Sequence, residues 1–421
     1  MVAGAERTRR SFLTLAGLLA SGSLAACGSN TGRADGTNGD GTLRHWYHAY
    51  GEDGVQDAVK RYAEAYPAAR VEVQWNPGDY DSKIVTALQN SPVPDVFEAQ
   101  VKVEWVRQQQ VVPLDDLLGA ERGDFVQTLL TSQTVDGALY GVPQAIDTQM
   151  LFYRKSMLAA AGLQPPRTVD ELVDATARLN TGGVRGLFVG NDGGVSTLTG
   201  PLLWSAGLDF LSVDGRAVGF NDPRAATVFG KLRALNTGGG LLLGAPTDWS
   251  DPGAFCDGLV AMQWTGLWNL PKIREAVGED FGVLPFPALD GTGRVSVPVG
   301  AYSAMVNAKS ADVDAAKAYV RWLWVERTEY QAEFATGFGV HLPARTSLDG
   351  AAAVLSSGPG AEAVRFVADS GRILSPPAWT AQAGTALSDA VARIAREGAD
   401  PAAETRKALD VADSEITRLY G

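Results

Sequence analysis

The stretch Leu43-Arg-His-Trp-Tyr-His48 predicts a β-strand that runs into a loop, and the residues after it have a different period. From Gly54 to Tyr66 the apolar side chains recur at spacings of four, three and four, which is one face of an α-helix. These side chains are Val55, Val59, Tyr62 and Tyr66. Pro67 has no backbone N–H to donate, so the helix is predicted to end before it.

The next residues repeat this order of strand and helix. Val71-Glu-Val-Gln-Trp75 alternates as a strand does, Asp81 to Gln89 predicts a helix, and Asp95-Val-Phe97 predicts a short buried strand. Strands that alternate with helices favour a parallel sheet, because a parallel connection is long enough to hold a helix. The sequence therefore predicts an α/β fold.

Later segments continue in the same style. Val169 to Leu179 predicts a helix after a Pro-Pro turn, Leu259 to Trp264 predicts a strand, and Ala315 to Phe334 predicts one long helix. Glycine is frequent from Gly182 to Gly200, so this stretch is predicted to be a loop. No repeat of fixed period is present.

The amino terminus has the composition of a secretory signal. Glu6-Arg-Thr-Arg-Arg10 is basic, and Phe12 to Ala26 is apolar or small, which is the order of such signals. The apolar run is shorter than the roughly 20 residues that span a bilayer. Arg9-Arg10-Ser11-Phe12-Leu13 resembles the twin-arginine export signal. Thr14 stands where that pattern usually has Lys, so general secretion remains an alternative.

A lipid anchor is predicted directly after this signal. Leu24-Ala25-Ala26-Cys27 resembles the bacterial lipobox, in which the cysteine is lipidated and becomes the first residue. The resemblance implies removal of residues 1–26 and attachment to the outer side of the cell membrane through Cys27. Residues 28–41 are mostly Gly, Ser, Asn, Thr and Asp, which predicts a flexible tether, with folding from Thr42 onward. The alternative is an ordinary hydrophobic start with a chance cysteine.

Cys256 is the only other cysteine of the chain. If Cys27 carries lipid, Cys256 has no partner for an intramolecular disulfide. Cys256 is therefore predicted to be a small buried apolar group and not a nucleophile.

Charge and length exclude some classes of function. Removal of residues 1–26 would take three Arg and one Glu from 36 basic and 48 acidic side chains, which leaves 33 and 47 and a formal charge of −14. Such a surface is a poor partner for nucleic acid and anionic lipid. The roughly 380 remaining residues exceed one hydrophobic core, so two domains are predicted.

The ten Trp and three His bear on the chemistry of the site. Many Trp favour stacking platforms in a cleft, and few His disfavour metal or general-base chemistry, so no metal site and no cofactor are expected. The nucleophile elbow, the metalloprotease helix and the phosphate-binding loop are absent as motifs. A glycoside hydrolase remains an alternative, because its two acids are defined only in space. A second alternative is a carbohydrate-binding lipoprotein without a transport role.

Six short motifs occur in order along the chain. They are Trp46-Tyr-His-Ala-Tyr-Gly-Glu52, Pro94-Asp-Val-Phe-Glu98, Tyr140-Gly-Val-Pro143, Leu151-Phe-Tyr-Arg-Lys155, Thr265-Gly-Leu-Trp268 and Pro298-Val-Gly-Ala-Tyr302. Each is weak alone, but their order and spacing over residues 42–421 resemble the extracellular solute-binding proteins of the carbohydrate group.

The resemblance implies a two-lobed fold like that of periplasmic binding proteins, with a ligand cleft between the lobes. It also implies a monomer that is not an enzyme and that delivers a sugar or sugar-like solute to the membrane subunits of an ABC importer. The chain is expected to cross between lobes near residues 146–149, 299–302 and 341–345. One lobe would hold residues 42–146 and 303–340, and the other 150–298 and 346–421.

Candidate ligand-binding residues follow from the chemistry of a sugar. Its ring has an apolar face that an aromatic plane can cover, and its hydroxyls need polar partners once they leave water. Ligands of α/β sheets bind beyond the carboxyl ends of the strands. His48 and Tyr50 follow the first strand, and Glu98 and Gln100 follow the third. Glu98 and Gln100 could also be solvated loop residues.

The remaining candidates lie at the crossings and in later loops. Asp147 and Gln149 are at the first crossing, and Tyr302 is at the second. By resemblance, Asp147 matches an acid that contacts the ligand in maltose-binding relatives, and Trp268 matches a sugar-stacking aromatic. Trp379 lies in a late loop from which relatives reach into the cleft. The alternatives are that both Trp residues belong to the core and that Asp147 only bonds backbone N–H groups of the hinge.

Overall fold

Two β-sheets organise the computed structural model, which describes residues 41–90, 94–348, 350 and 352–421. In chain order the strands are β1 (Leu43–His48), β2 (Val71–Asn76), β3 (Val96–Ala99), β4 (Thr134–Val135), β5 (Ala138–Leu139), β6 (Val142–Pro143), β7 (Ala145–Tyr153), β8 (Arg185–Phe188), β9 (Val260–Gly266), β10 (Gly282–Leu284), β11 (Val297–Gly300), β12 (Ser303–Val306), β13 (Leu342–Pro343) and β14 (Gly371–Ile373). The export signal, Cys27 and residues 28–40 of the tether lie outside the described residues.

Helices cover both sheets. They are α1 (Val55–Glu64), α2 (Tyr80–Gln89), α3 (Val103–Arg107), α4 (Asp115–Leu118), α5 (Gln127–Ser132), α6 (Lys155–Ala160), α7 (Val169–Arg178), α8 (Val195–Ser205), α9 (Pro223–Thr237), α10 (Gly253–Cys256), α11 (Leu270–Val277), α12 (Val313–Arg321), α13 (Thr328–Thr336), α14 (Gly358–Ser370), α15 (Ala381–Ala392) and α16 (Pro401–Tyr420). The predicted helices α1, α2 and α7 are confirmed to within two residues at each end.

The first sheet has the strand order β2-β1-β3-β12-β6. β1 pairs in parallel with both β2 and β3, as predicted, while β12 is antiparallel to β3 and to β6. The register places His48 opposite Asn76, so the carboxyl ends of β1 and β2 meet at one edge. The loops that follow β1 and β3 therefore leave the sheet on the same side.

The second sheet has the order β14-β11-β7-β9-β8, and β10 and β13 also pair with β7. The interior strand β9, which lies between β7 and β8, is buried at all seven positions, since helices cover both faces. β9 continues two residues beyond its predicted end at Trp264 and stops at Gly266. The fold is thus α/β with two lobes, one around each sheet.

Three segments that contain the predicted crossings lie side by side, and they are called the linking segments below. β7 pairs with β13 through Ile146 and Leu342, and with β11 through Thr148 and Val299. All three segments contain residues that the sequence placed at crossings. The lobe boundaries themselves remain predictions.

The single long helix predicted from Ala315 to Phe334 is wrong. α12 ends at Arg321, a π-helical turn follows, and Arg327 leaves helical geometry with φ −93° and ψ 71° before α13 begins. The interruption is stabilised from far along the chain, because the Arg345 guanidinium donates to the carbonyl oxygen of Val325 at 2.7 Å. Local periodicity carries no information about this partner.

The glycine-rich loop predicted from Gly182 to Gly200 is also wrong, because it contains β8 and the start of α8. Gly186 lies within β8, where a Cβ atom would come within 1.9 Å of the Thr176 carbonyl oxygen. Glycine here permits close packing and does not mark a flexible chain. Helix α8 is buried at every position except Ser196, so it lacks the amphipathic period by which helices are recognised.

None of the helices in the described ranges combines the length and apolar character needed to cross a bilayer.

Candidate ligand-binding site

A cavity of about 620 Å³ opens between the two sheets. Its walls come from the loops after β1 and β3 of the first sheet, from the turn after β9 of the second sheet, and from the linking segments. This volume is within the range of pockets that bind small molecules. Seven predicted site residues line it: His48, Tyr50, Gln100, Asp147, Gln149, Trp268 and Tyr302.

Glu98 supports the wall that the first sheet contributes. Its carboxylate accepts the His48 backbone N–H at 2.7 Å, the His48 ring N–H, and the Tyr50 hydroxyl at 2.7 Å. Glu98 is completely buried. Burial opposes a charge on the His48 ring, but the Glu98 carboxylate outweighs this and raises the pKa of His48 above its usual value. His48 and Tyr50 are thereby fixed in place against the cavity.

Aromatic rings cover the same wall. The His48 ring stacks on Tyr302 with centroids 4.4 Å apart and an interplanar angle of 28°, and it lies 3.9 Å from the ring of Tyr50. Burial, followed by the negative charges of neighbouring acids, raises the pKa of both Tyr50 and Tyr302. Both phenols therefore keep their protons at neutral pH, and the Tyr50 proton is donated to the Glu98 carboxylate.

The opposite wall contains two indoles. Trp268 lies in a 3₁₀ turn, Leu267–Asn269, directly after β9, and its N–H donates to the Ser250 carbonyl oxygen at 3.1 Å. Trp249 meets it edge to face at 6.0 Å. Asn269 donates to the same Ser250 oxygen at 2.8 Å, so the two loops that bear the indoles are tied together. Both rings are partly exposed to the cavity.

Gly266 provides the space in which the Trp268 ring lies. A Cβ atom at this position would come within 2.2 Å of three carbons of that ring. The backbone at Gly266, with φ −75° and ψ 149°, is one that any residue can adopt. The requirement for glycine is therefore the close approach of the indole and not the backbone conformation.

Gly266→Ala should displace the Trp268 ring and weaken ligand binding by about tenfold or more, which is about 1.4 kcal/mol. Titration calorimetry on the variant measures this. Gly230→Ala is the matched control, because a Cβ atom there meets open space within helix α9. The control should bind normally and be equally stable or slightly more stable, since alanine favours a helix. Normal binding by Gly266→Ala would show that the ring position is unimportant.

His341 joins the two walls. Its Nδ1 lies 2.7 Å from an oxygen of Asp147, and its Nε2 lies 3.0 Å from an oxygen of Glu52. Its ring is nearly parallel to Trp268, with centroids 6.0 Å apart and an interplanar angle of 20°. Burial alone would lower the pKa of His341, but the hydrogen bonds and charges of Asp147 and Glu52 outweigh it and raise the pKa to about 10.

Gln149 projects from β7 into the base of the cavity. Its side-chain oxygen accepts the indole N–H of the buried Trp264 at 2.9 Å. The amide NH₂ is then the group that Gln149 can offer to a ligand hydroxyl. A site of this kind combines aromatic planes with amide, carboxylate and phenol groups, and can hold a polar molecule that has an apolar face.

Residues 48–324 match the family of bacterial extracellular solute-binding proteins. The chain belongs to this family. A galactooligosaccharide-binding protein of Bacillus subtilis is 24% identical over 423 residues, which cover 94% of each chain. The GacH receptor of Streptomyces glaucescens, solved unliganded and with acarbose, aligns with a TM-score of 0.73 at 24% identity, over 90% of this chain and 98% of its own.

Other relatives of this solute-binding protein are matched over a shorter range. Binding proteins of Brucella abortus and Brucella suis are 28% identical over 195 residues, and this alignment spans 47% of their length. The chain thus spans about half the length of these curated relatives.

Two predicted site residues do not line the cavity. Glu98 lies within β3 and not in a loop. Its carboxylate accepts hydrogen bonds from His48 and Tyr50, so it holds these two lining residues in place without lining the cavity itself. Trp379 packs between Phe210 and Phe220 of the second lobe, with ring centroids 5.1 and 6.1 Å away. The late loop reaches the cavity through Leu374 instead.

Among the site residues that were missed from the sequence, Trp249, Glu52 and His341 matter most for the geometry described above. Trp249 lies in a loop rich in Pro and Asp, where an aromatic side chain has few apolar residues to pack against. This composition could have indicated that Trp249 contacts a ligand. Glu52 ends the first quoted motif, and His341 opens the third predicted crossing. Glu52 and His341 are 289 positions apart in the sequence, so no local sequence pattern predicts their contact.

Cys256 is half-buried beside α11. Burial, reinforced by nearby acids, raises the pKa of its thiol to about 11. The thiol therefore stays protonated at neutral pH, which agrees with the prediction that it is not a nucleophile.

Proposed function

We propose that this protein binds a sugar or sugar-like solute in the cavity between its lobes and delivers it to an ABC importer. The observation that carries the proposal is the arrangement of the two cavity walls. Trp249 and Trp268 offer apolar planes from one sheet, while His48, Tyr50 and Gln100 offer polar groups from the other. The apolar face of a sugar ring can pack on the indoles, and its hydroxyls can form hydrogen bonds with the polar wall.

Relatives support this choice of ligand class. The Bacillus subtilis relative is named for galactooligosaccharides, and GacH was solved with acarbose, so neutral and amino-containing oligosaccharides are both candidates. Glycerophosphodiesters and polyols are further candidates. Four acids line the cavity, Asp147, Glu52, Asp53 and Asp251. They outnumber the basic groups of His48, Lys272 and His341 there and so disfavour a strongly anionic solute.

A thermal-shift panel tests the proposal. We would use galactotriose, maltotriose, diacetylchitobiose, acarbose and glycerophosphocholine. A compound present at 100 times its Kd should stabilise the protein by about 2.7 kcal/mol. If none of these compounds raises the melting temperature, the proposed ligand class is wrong.

Binding without catalysis is the proposed mode of action. Glu52 is a poor general acid because its pKa is lowered: burial would raise it, but the hydrogen bond and charge of His341 prevail. A glycoside hydrolase needs one carboxylic acid that stays protonated near neutral pH. Incubation of the panel with the protein, followed by chromatography, would reveal cleavage products if hydrolysis occurred.

The lobes are proposed to comprise residues 42–146 with 303–340 and residues 150–298 with 346–421. The pairing of β7 with β11 and β13 supports a hinge at residues 146–149, 299–302 and 341–345. Strands that run side by side can bend together without breaking either sheet.

Ligand binding should close the lobes. A ligand can favour the closed form only if it binds that form better, and contacts from both walls supply this difference. Small-angle scattering of the monomer should show a smaller radius of gyration with the panel compound that binds. A panel compound that gives no thermal shift is the control and should leave the radius unchanged. No compaction at saturation would contradict a site divided between lobes.

We further propose that Cys27 is the lipid anchor and that the protein works outside the cytoplasm, on the cell membrane. Cys27→Ser should release most of the protein into the medium, because one lost acylation site removes the only proposed anchor. Fractionation and immunoblotting measure this release. Cys256→Ser is the control and should remain in the membrane fraction. Membrane retention of Cys27→Ser would contradict the anchor.

A further inference from the structure

His341 is bonded to carboxylates on both sides of its ring. The Asp147 carboxylate comes from β7, and the Glu52 carboxylate comes from the loop after β1. Carboxylates accept hydrogen bonds and do not donate them when ionised, so both ring nitrogens must carry protons. His341 and Glu52 are largely buried, with side-chain exposures of 9% and 11%, and solvent screens their contact weakly.

The backbone around His341 fixes where the ring lies. The His341 N–H donates to the Ala335 carbonyl oxygen at the end of α13, and the next residue, Leu342, pairs with Ile146. This pairing brings the ring beside Asp147. Gly339 lets the segment pass between the two walls, because a Cβ atom there would lie 2.9 Å from Glu52 and 3.2 Å from Trp268.

The same ring faces Trp268. The two planes are nearly parallel, and a protonated imidazole at 6.0 Å is within the range of a cation–π attraction. His341 therefore contacts a carboxylate and an indole that both line the cavity. One oxygen of Asp147 is engaged by His341, and the other can accept a ligand hydroxyl.

We propose that His341 is the positioning residue of the cavity: clamped between Glu52 and Asp147, its ring sets the direction of the Asp147 carboxylate and the plane of the Trp268 indole. This inference rests on the proposed function, since it assumes that the ligand contacts those two groups. It assigns no ligand contact to His341 itself. The trio His341, Glu52 and Asp147 is called the clamp below.

The clamp should be complete across the neutral range. The pKa of Glu52 is lowered, so the clamp is lost in acid as Glu52 takes up a proton. The pKa of His341 is raised to about 10, so its contribution to stability is full below about pH 6.5 and is lost as the pH rises through 10. Charged groups elsewhere on the cavity wall are His48, Asp53, Asp251 and Lys272.

Histidine NMR tests the clamp without any ligand. The chain has three His, so ¹³C-labelled histidine gives three assignable sets of resonances whose pH dependence can be followed. The curve that disappears in His341→Gln should have a midpoint near pH 10, and Glu52→Gln and Asp147→Asn should each lower that midpoint. A wild-type midpoint near 6.5, or one that both variants leave unchanged, would overturn the clamp.

The indole resonances test positioning, again without ligand. The Trp268 side-chain N–H peak is identified by its absence in Trp268→Phe. His341→Gln at pH 7 should shift or broaden this peak. His45→Gln is the matched control, since His45 is buried beside Tyr319 and away from the cavity, and it should leave the peak in place. An unmoved Trp268 peak in His341→Gln would overturn the positioning role.

Affinity then separates this inference from the proposed function. The probe is the panel compound with the largest thermal shift, and His341→Gln should bind it about tenfold or more weaker than wild type at pH 7. Equal affinity would overturn the positioning role even if the clamp exists. If no panel compound binds wild type while both NMR results hold, the positioning of Trp268 stands and the proposed ligand class falls.

Discussion

Trp268→Ala should weaken ligand binding by about 50-fold or more, and calorimetric titration measures it. An indole against a sugar face removes on the order of 100 Å² of apolar surface from water, which is worth about 2.5 kcal/mol. The unliganded protein should melt at nearly the wild-type temperature. The reason is that the Trp268 ring is partly exposed at the cavity wall, where its neighbours are Gly266, Trp249 and His341, and does not belong to the hydrophobic core.

Trp204→Ala is the matched control for Trp268. Trp204 is 1% exposed within α8, and truncation of such a side chain costs about 3–5 kcal/mol of stability. The control should lower the melting temperature and leave the affinity of the folded fraction unchanged. If Trp268→Ala instead melts far lower and binds normally, Trp268 is structural and the ligand lies elsewhere.

Glu98→Ala should strongly lower the stability of the protein. The Glu98 carboxylate is buried and accepts hydrogen bonds from His48 and Tyr50. The variant removes this carboxylate and leaves its two partners without an acceptor, and loss of one member of a buried ion pair costs about 3–5 kcal/mol. Urea unfolding at pH 7 measures the loss. Binding should also weaken, because His48 and Tyr50 would no longer be held against the cavity.

Glu279→Ala is the control for Glu98. Its ion pair with Arg274 is 3.3 Å long and solvent-exposed, and exposed pairs of this kind contribute about 0–1 kcal/mol. A loss below about 1 kcal/mol in Glu98→Ala would mean that the Glu98 carboxylate does not hold His48 and Tyr50.

Much of the fold was predictable because it is encoded locally. The alternating Val71-Glu-Val-Gln-Trp75 and the helical spacing of Val55, Val59 and Tyr62 each fix an element by its own period. Helix α8 was missed because ten of its eleven residues are buried, so it lacks a continuous solvent-exposed face. The break at Arg327 was missed because Arg345 stabilises it from another part of the chain.

The site was predictable only in part, for a similar reason. Residues at strand ends or just after them, such as His48 and Tyr50, reach the cavity because strand ends meet at one edge of a sheet. Glu98 was taken for a loop residue because β3 extends farther than its apolar run. The contact of His341 with Glu52 and Asp147 exists only once the linking strands pair.

Calorimetric titration of the wild-type protein with the selected panel compound, followed by chromatography of that compound, tests the proposed function most directly. We expect one saturable site per chain, a Kd that Trp268→Ala raises about 50-fold or more, and recovery of the compound unchanged. Cleavage products would indicate a hydrolase. Absence of saturable heat with every panel compound would contradict the capture of a sugar-like solute in this cavity.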